Sequence, residues 1–261
     1  MKQTIIYALD FDGVICDSAL ETGISGWKAA SHLWNDFSTA MPSQQMIDDF
    51  REVRPIMGTG YEAILINKML YDGVSVESIL KDFDTKKDKL MKSSNISIGQ
   101  LKKLYGEIRD TWIADNIDDW VDKNPLFSGI SEKLQSLTNR GIWYIVTTKQ
   151  ERFVKKILKA NNVQIPEERI FGLDRNQTKQ ETLIDLLKKH TDQEIYFVED
   201  MLSSLLKVKS NNQLQAVKLL FAPWGYNTAQ DRLYAKNLNI ERIHFADFLE
   251  EIDTDLYCDL K

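Results

Sequence analysis

The sequence feature that most restricts the fold is an apolar run, Ile5–Leu9, that stops abruptly at Asp10-Phe11-Asp12-Gly13. An unbroken apolar run of this length is typical of a strand covered on both faces, as in a parallel sheet. The acidic residues and the glycine that follow indicate a turn. We therefore expect a buried strand whose carboxyl end carries two carboxylates.

Apolar runs of the same kind recur after residue 125, and helical patterns separate them. The later runs are residues 142–146, 170–173, 195–198 and 216–221. Between them, apolar residues recur at helix spacing, as at Leu183, Leu186 and Leu187. This alternation predicts an α/β fold with a doubly wound, mostly parallel, Rossmann-like sheet.

Residues 18–124 have a different pattern, with helical stripes such as Leu20, Ile24 and Trp27 and no buried-strand run. We therefore predict an all-helical domain at 18–124, inserted into a core formed by residues 1–17 and 125–261. Within the insertion, the lysine-rich residues 84–99 are interpreted as a solvated loop or weak helix.

Composition restricts the classes of partner. The net charge of −6 argues against a nucleic-acid-binding protein, which would favour a basic face. The apolar runs are far shorter than the roughly 20 residues of a membrane span, and we expect no export signal. The two cysteines lack metal-type or redox-type spacing, which suits a reducing cytoplasm.

The strand ends place a distinctive set of side chains together, because ligands of open parallel sheets bind beyond the carboxyl ends of the strands. Carboxylates about 4 Å apart repel by roughly 4 kcal/mol at an effective dielectric near 20, so such a group takes up protons or holds a cation. The residues expected at this edge are Asp10, Asp12, Thr147, Thr148, Lys149, Glu199 and Asp200, with Lys179 at the head of the preceding helix.

Hard oxygen ligands of this kind suit Mg²⁺, which also stabilises charge developing on a phosphoryl group. One carboxylate can then act as a nucleophile and form an acyl phosphate. Because Gly13 indicates a turn, Asp10 and Asp12 can approach a substrate from different directions, one attacking phosphorus and the other handling the proton of the leaving group. The pattern predicts phosphoryl transfer.

Residues 10–18, DFDGVICDS, fit the first motif DxDG(V/T)(L/I)xDS of the haloacid dehalogenase superfamily. The chain resembles its phosphatase branch with a helical cap, which includes phosphoglycolate phosphatase-like and β-phosphoglucomutase-like members. The second motif is similar to the strand ending at Thr147, the third to Lys179 and the fourth to Glu199-Asp200. Their order and spacing carry the resemblance over nearly the whole chain.

This resemblance implies a role for each matching residue. Asp10 would be the nucleophile and a Mg²⁺ ligand, and Asp12 the general acid and base, with its backbone carbonyl also on the metal. Thr147 would bind the phosphoryl group, Lys179 would stabilise the intermediate and Asp200 would complete the metal site. An acid at position 12 also indicates phosphate chemistry rather than carbon–halogen cleavage.

The sequence departs from the family pattern at two of these motifs. Ser204 stands where many relatives have a further acid, and Glu199 could compensate as a ligand, directly or through water. Gln180 replaces a proline that often follows the motif-three lysine. Residues 223–226, PWGY, resemble the loop after the last core strand in phosphoglycolate phosphatase-like members.

Three further residues are candidates for substrate binding. Thr148 follows the predicted phosphate-binding threonine. Arg51 and Arg54 precede the Gly58-Thr59-Gly60 turn of the insertion and could clamp a second anionic group, although a solvated pair is an equal alternative.

The sequence thus predicts a cytoplasmic, Mg²⁺-dependent phosphatase, monomeric or homodimeric, that acts on a small phosphorylated metabolite. A phosphomutase would use the same aspartyl phosphate, and a catalytically inactive binding module is a further alternative. A signalling receiver domain also combines acids, a threonine and a lysine on such a sheet, but it lacks a helical insertion after the first strand.

Overall fold

The structure, a computed structural model, describes residues 5–250 apart from the side chain of Arg140. The chain divides into two compact units. One unit comprises the described residues up to Asp17 together with those from Leu126 onward, and the other is Ser18–Pro125. We call them the sheet unit and the helical unit.

Within the described residues, the sheet unit contains six parallel strands in the order β3-β2-β1-β4-β5-β6. The strands are β1 Ile5–Leu9, β2 Trp143–Val146, β3 Ile170–Phe171, β4 Glu194–Glu199, β5 Lys218–Phe221 and β6 Glu241–Arg242. This is the strand order of a doubly wound Rossmann-like sheet, so the predicted fold class is confirmed.

Helices connect the strands and form the second unit. The helical unit contains α1 Ala19–Leu33, α2 Gln44–Val53, α3 Glu62–Tyr71, α4 Val76–Lys81, α5 Phe83–Ser93, α6 Ile98–Asp115 and α7 Ile117–Asp122. The sheet unit contains α8 Ile130–Arg140, α9 Glu151–Ala160, α10 Lys179–Lys189, α11 Leu202–Lys209, α12 Ala229–Asn237 and α13 Phe245–Leu249. In the described range, no helix is both long enough and apolar enough to span a membrane.

The central position of β1 explains its unbroken apolar sequence. β1 pairs with β2 on one side and with β4 on the other, in a register that aligns Tyr7 with both Trp143 and Tyr196. Ile6 and Ala8 face a cluster of buried residues that includes Leu183 of α10. Tyr7 and Leu9, which alternate to the opposite face, are also buried, so β1 is covered on both faces of the sheet, as the first apolar run predicts.

One element was missed in the sequence pattern, and for another the pattern left two alternatives. β6 was not predicted, because both of its residues, Glu241 and Arg242, are exposed and form no apolar run. Residues 84–93, interpreted as a solvated loop or weak helix, lie within α5. Phe83 is buried there, and its packing supplies the anchoring that the polar sequence alone does not indicate.

A buried ionic network links distant parts of the helical unit. The Arg109 side chain donates from Nε and Nη2 to the two carboxylate oxygens of Glu21, over 2.7 and 2.6 Å. Trp120 Nε1 and the Ser25 hydroxyl also donate to Glu21 Oε1. The Glu21 side chain is fully buried and that of Arg109 is 5% exposed, so the pair is shielded from water.

We predict that Arg109→Met destabilises the helical unit by about 3–5 kcal/mol, because it leaves the buried Glu21 carboxylate without its cation. Urea unfolding followed by circular dichroism measures the change. Lys103→Met is the matched control, since Lys103 and Glu107 form an exposed pair that contributes little. Equal stability of the two variants would contradict the prediction.

Candidate functional site

The candidate site lies where the strand order reverses. β1 and β4 are neighbours in the centre of the sheet, with β2 and β5 on their outer sides, and doubly wound sheets bind ligands at this switch point. Asp10 directly follows β1, and Asp200 directly follows β4. The Asp10 N–H donates to the Val198 carbonyl over 2.9 Å, which holds the two strand ends side by side.

Three carboxylates meet at this point. Asp10, Glu199 and Asp200 each place an oxygen within 4.8 Å of the others, and all three residues are buried. At this separation each pair of ionised carboxylates repels by roughly 3 kcal/mol at an effective dielectric near 20. A positive charge is therefore needed among them.

Lys179 supplies part of that charge. Thr178 caps α10 in a capping box with Glu181, and this fixes the start of the helix at Lys179. Lys179 Nζ lies 2.9 Å from Asp10 Oδ1 and 2.7 Å from Glu199 Oε2. One ammonium against three ionised carboxylates leaves two negative charges in the cluster.

The surroundings shift the pKa values of both Asp10 and Lys179. Burial raises the pKa of Asp10 to about 7, and Lys179 opposes that effect while Glu199 and Asp12 add to it. Burial by itself lowers the pKa of Lys179, but Asp10 and Glu199 outweigh it and the pKa lies above its ordinary value. Lys179 is thus a permanent cation at the site.

The donor set fits a divalent cation. The ligand atoms are carboxylate oxygens, which hard cations such as Mg²⁺ prefer, and a doubly charged ion would balance the two remaining negative charges. Backbone groups orient two of the carboxylates, because Met201 N–H donates to Glu199 Oε1 and Tyr226 N–H donates to Asp200 Oδ2. Such supporting hydrogen bonds are typical of metal ligands.

Asp12 lies on a tight turn rather than in the carboxylate cluster. The Phe11 carbonyl accepts from both Ile15 N–H and Cys16 N–H, and Gly13, at φ 90°, reverses the chain between them. The Asp12 side chain is 17% exposed and lies 3.0 Å from Lys149 Nζ. The two aspartates of the motif therefore face different cations, as the glycine in the sequence suggested.

Two glycines make room for the Asp200 carboxylate. A Cβ atom on Gly13 would collide with Asp200 Oδ2, and a Cβ atom on Gly225 would collide with the Gly13 carbonyl and with Asp200. The loop after β5 also ties itself to the motif turn, since the Tyr226 hydroxyl donates to Asp17 Oδ1 over 2.9 Å. The PWGY segment singled out in the sequence thus packs around Asp200.

The remaining candidates of the sheet unit lie at the end of β2. Thr147 is buried, and its hydroxyl accepts a hydrogen bond from Lys149 N–H over 3.1 Å. Thr148 is exposed. Since β2 neighbours β1, Thr147 is at the same sheet edge as Asp10, while the contribution of either threonine to phosphate binding stays a prediction.

The two arginine candidates lie in the helical unit. Arg51 is exposed near the end of α2, and Arg54 is buried, with Nη1 3.3 Å from the Met57 carbonyl. The Arg54 guanidinium therefore supports the turn that follows it. A substrate-binding function for either arginine stays a prediction.

Lys149 was expected at a strand end, but the sequence pattern indicated no function for it. Its ion pair with Asp12 joins residues 137 positions apart, and strand neighbourhood was the signal available for finding it. The contact between Tyr226 and Asp200 was also missed, because it is made by a backbone N–H and leaves no side-chain signature.

No family model and no curated protein matches this sequence. Solved structures do match it over nearly the full length of both chains. A predicted phosphatase from Clostridium acetobutylicum has a TM-score of 0.59 at 17% identity, with 96% of this chain and 98% of that chain covered. A haloacid dehalogenase-like hydrolase from Streptococcus pneumoniae has a TM-score of 0.54 at 17% identity, with 98% of each chain covered.

A third structure, a predicted phosphoglycolate phosphatase from Haemophilus somnus, has a TM-score of 0.58 at 17% identity and covers 95% of this chain and 97% of its own. These likenesses establish the fold alone, since folds outlast both sequence similarity and function. The strand order, the site at the switch point and these neighbours agree: the chain has the fold of the haloacid dehalogenase-like hydrolases.

Proposed function

We propose that this protein is a Mg²⁺-dependent phosphatase that hydrolyses a small-molecule phosphate monoester through an aspartyl phosphate on Asp10. The observation that carries the proposal is the buried excess of negative charge formed by Asp10, Glu199 and Asp200 beside Lys179. Protein interiors keep such charge only where a ligand or a proton balances it. The fold supports the same chemistry, as do the similar structures of a predicted phosphatase and a predicted phosphoglycolate phosphatase.

Asp10, Asp200 and Glu199 would hold the metal, with the backbone carbonyl of Asp12 as a further proposed ligand. A bound Mg²⁺ would polarise the phosphoryl oxygens and neutralise charge that develops on them. Lys179, with Nζ 2.9 Å from Asp10 Oδ1, would balance the negative charge of the nucleophile and of the phosphoryl group. We propose that the Thr147 hydroxyl and nearby backbone N–H groups bind the phosphoryl oxygens.

In the first half-reaction, a carboxylate oxygen of Asp10 attacks phosphorus and forms the new P–O bond. The bond from phosphorus to the leaving oxygen breaks, and its electron pair stays on that oxygen. The carboxylic acid of Asp12 transfers its proton to the leaving oxygen, which departs as an alcohol.

In the second half-reaction, the Asp12 carboxylate takes a proton from water while the water oxygen attacks phosphorus. The P–O bond to Asp10 breaks and its electron pair returns to the Asp10 carboxylate. Inorganic phosphate leaves, and Asp12 is again protonated for the next ester. The placement of the two aspartates beside different lysines supports this division of functions.

We propose a small phosphorylated metabolite as the substrate and the cytoplasm as the compartment. The alternative function with the most similar chemistry is that of a phosphomutase, which would return the phosphoryl group to a sugar substrate. A panel of phosphate esters, assayed with Mg²⁺ and with EDTA, tests the proposal. Release of inorganic phosphate only with Mg²⁺ supports it, product isomerisation without release indicates the mutase, and no turnover of any ester indicates a binding module.

Asp10→Asn should lower phosphatase turnover by at least about 10³-fold, because the amide cannot form the acyl phosphate. Phosphate release measures the effect, and circular dichroism checks the fold. Asp185→Asn, an exposed change on α10, is the control and should keep wild-type turnover. Turnover near the wild-type value in Asp10→Asn would rule out Asp10 as the nucleophile.

Asp12→Asn should lower kcat by about 10²–10⁴-fold, the usual contribution of general acid–base catalysis. With an aryl phosphate whose leaving group needs no proton, Asp10 should still be phosphorylated, so the phosphoenzyme should accumulate. Rapid acid quench followed by intact mass measurement detects it. Unchanged kinetics would remove Asp12 from the mechanism.

Gly225→Ala should weaken Mg²⁺ binding by about 10–100-fold, the usual cost of disturbing the support of a metal ligand. The added Cβ would displace the Asp200 carboxylate against the rigid Gly13 carbonyl. Isothermal titration with MgCl₂ measures the affinity. Gly141→Ala is the matched control, because a Cβ there meets no atom within 4 Å, and equal affinity in both variants would contradict the prediction.

A further inference from the structure

We propose that Lys149 is a positioning residue that holds the Asp12 carboxylate where it can exchange a proton with the leaving group. This inference rests on the proposed phosphatase function and adds to it a second lysine with its own task. Lys179 contacts the proposed nucleophile Asp10 and Glu199, whereas Lys149 contacts the proposed acid Asp12.

The backbone of Lys149 is held firmly by its surroundings. Its N–H donates to the Thr147 hydroxyl over 3.1 Å, and its carbonyl accepts from Leu173 N–H over 3.1 Å. Gly172 packs so closely that a Cβ there would lie 2.6 Å from the Lys149 carbonyl. The side chain therefore starts from a fixed point at the end of β2.

The burial of the Lys149 side chain stabilises its ion pair with Asp12. That side chain is only 1% exposed, and its Nζ lies 3.0 Å from Asp12 Oδ1. Moving the buried Lys149 ammonium away from its carboxylate is unfavourable, because little water reaches that side chain to replace the lost interaction. Lys149 thus restricts how the Asp12 carboxylate can turn.

A carboxylate on a turn needs such a restraint. Asp12 lies within the turn closed by hydrogen bonds from Ile15 and Cys16 to the Phe11 carbonyl, and its side chain is 17% exposed, so part of it is open to solvent. General acid catalysis requires the proton donor within hydrogen-bond reach of the leaving oxygen. With Oδ1 held by Lys149, the carboxylate keeps one orientation through the catalytic cycle.

The leaving group provides a test that separates positioning from mere stabilisation. Loss of a leaving group with low basicity, such as p-nitrophenolate, needs little help from an acid, whereas an alkoxide must be protonated. The ratio of kcat/KM for an alkyl phosphate to kcat/KM for p-nitrophenyl phosphate therefore reports on Asp12. Both values come from one preparation, so the fraction of folded enzyme cancels from the ratio.

Lys149→Met should lower that ratio by about tenfold or more, a part of the 10²–10⁴-fold that an acid contributes. Asp12→Asn should lower it further, and adding Lys149→Met to Asp12→Asn should leave it unchanged, because the positioned group is already gone. Lys155→Met, which removes an exposed pair with Glu167, is the matched control and should keep the wild-type ratio.

Two outcomes would overturn the inference. Equal losses with both esters in Lys149→Met, complete loss included, would make Lys149 a purely structural residue. A further drop in the ratio when Lys149→Met is added to Asp12→Asn would mean that Lys149 acts apart from Asp12. If the wild type hydrolyses neither ester nor any other with Mg²⁺, it is the proposed phosphatase function that fails.

Discussion

The electrostatic problem at the centre of the sheet governs the rest of this structure. Asp10, Glu199 and Asp200 are buried within 4.8 Å of one another, and Lys179 offsets only part of their charge. A fold does not gain stability from such an arrangement, since the repulsion and the loss of hydration both oppose it. Residues arranged against stability in this way are typical of functional sites.

The strand order brings these mutually repelling carboxylates together at one place in the sheet. Because β1 and β4 are adjacent and parallel, Asp10 and Asp200 lie at the same edge of the sheet, where the strand order reverses. Gly13 and Gly225 then allow the two loops to close around Asp200 without side-chain obstruction. The backbone positions of these carboxylates are therefore closely restricted by the packing of the two loops.

The sequence predicted this region well for a physical reason. A central parallel strand must be apolar on both faces, so Ile5–Leu9 was recognisable, and the acids after it were visible as interruptions of an apolar run. In the same way, Glu199 and Asp200 were recognisable as acids that close the apolar run of β4. Glu199 lies in the cluster with Asp10 and Asp200, and so a third carboxylate is present although Ser204 stands at the other acidic position of the motif.

Features that depend on long-range pairing could not be read in this way. The β6 strand has two exposed residues and gains its hydrogen bonds from β5, so no local pattern marks it. Glu21 and Arg109 are separated by 88 positions, and each alone looks like an ordinary helix charge. Lys149 and Asp12 pose the same difficulty, although they follow adjacent strands.

The two aspartates of the first motif, Asp10 and Asp12, lie in different environments. Asp10 is enclosed by carboxylates and Lys179, which suits a group that bonds to phosphorus, whereas the more exposed Asp12 can exchange protons with water. Environments that separate two chemically identical acids in this way suit them to the different tasks proposed for them, and here the separation is produced by one glycine turn and two lysines.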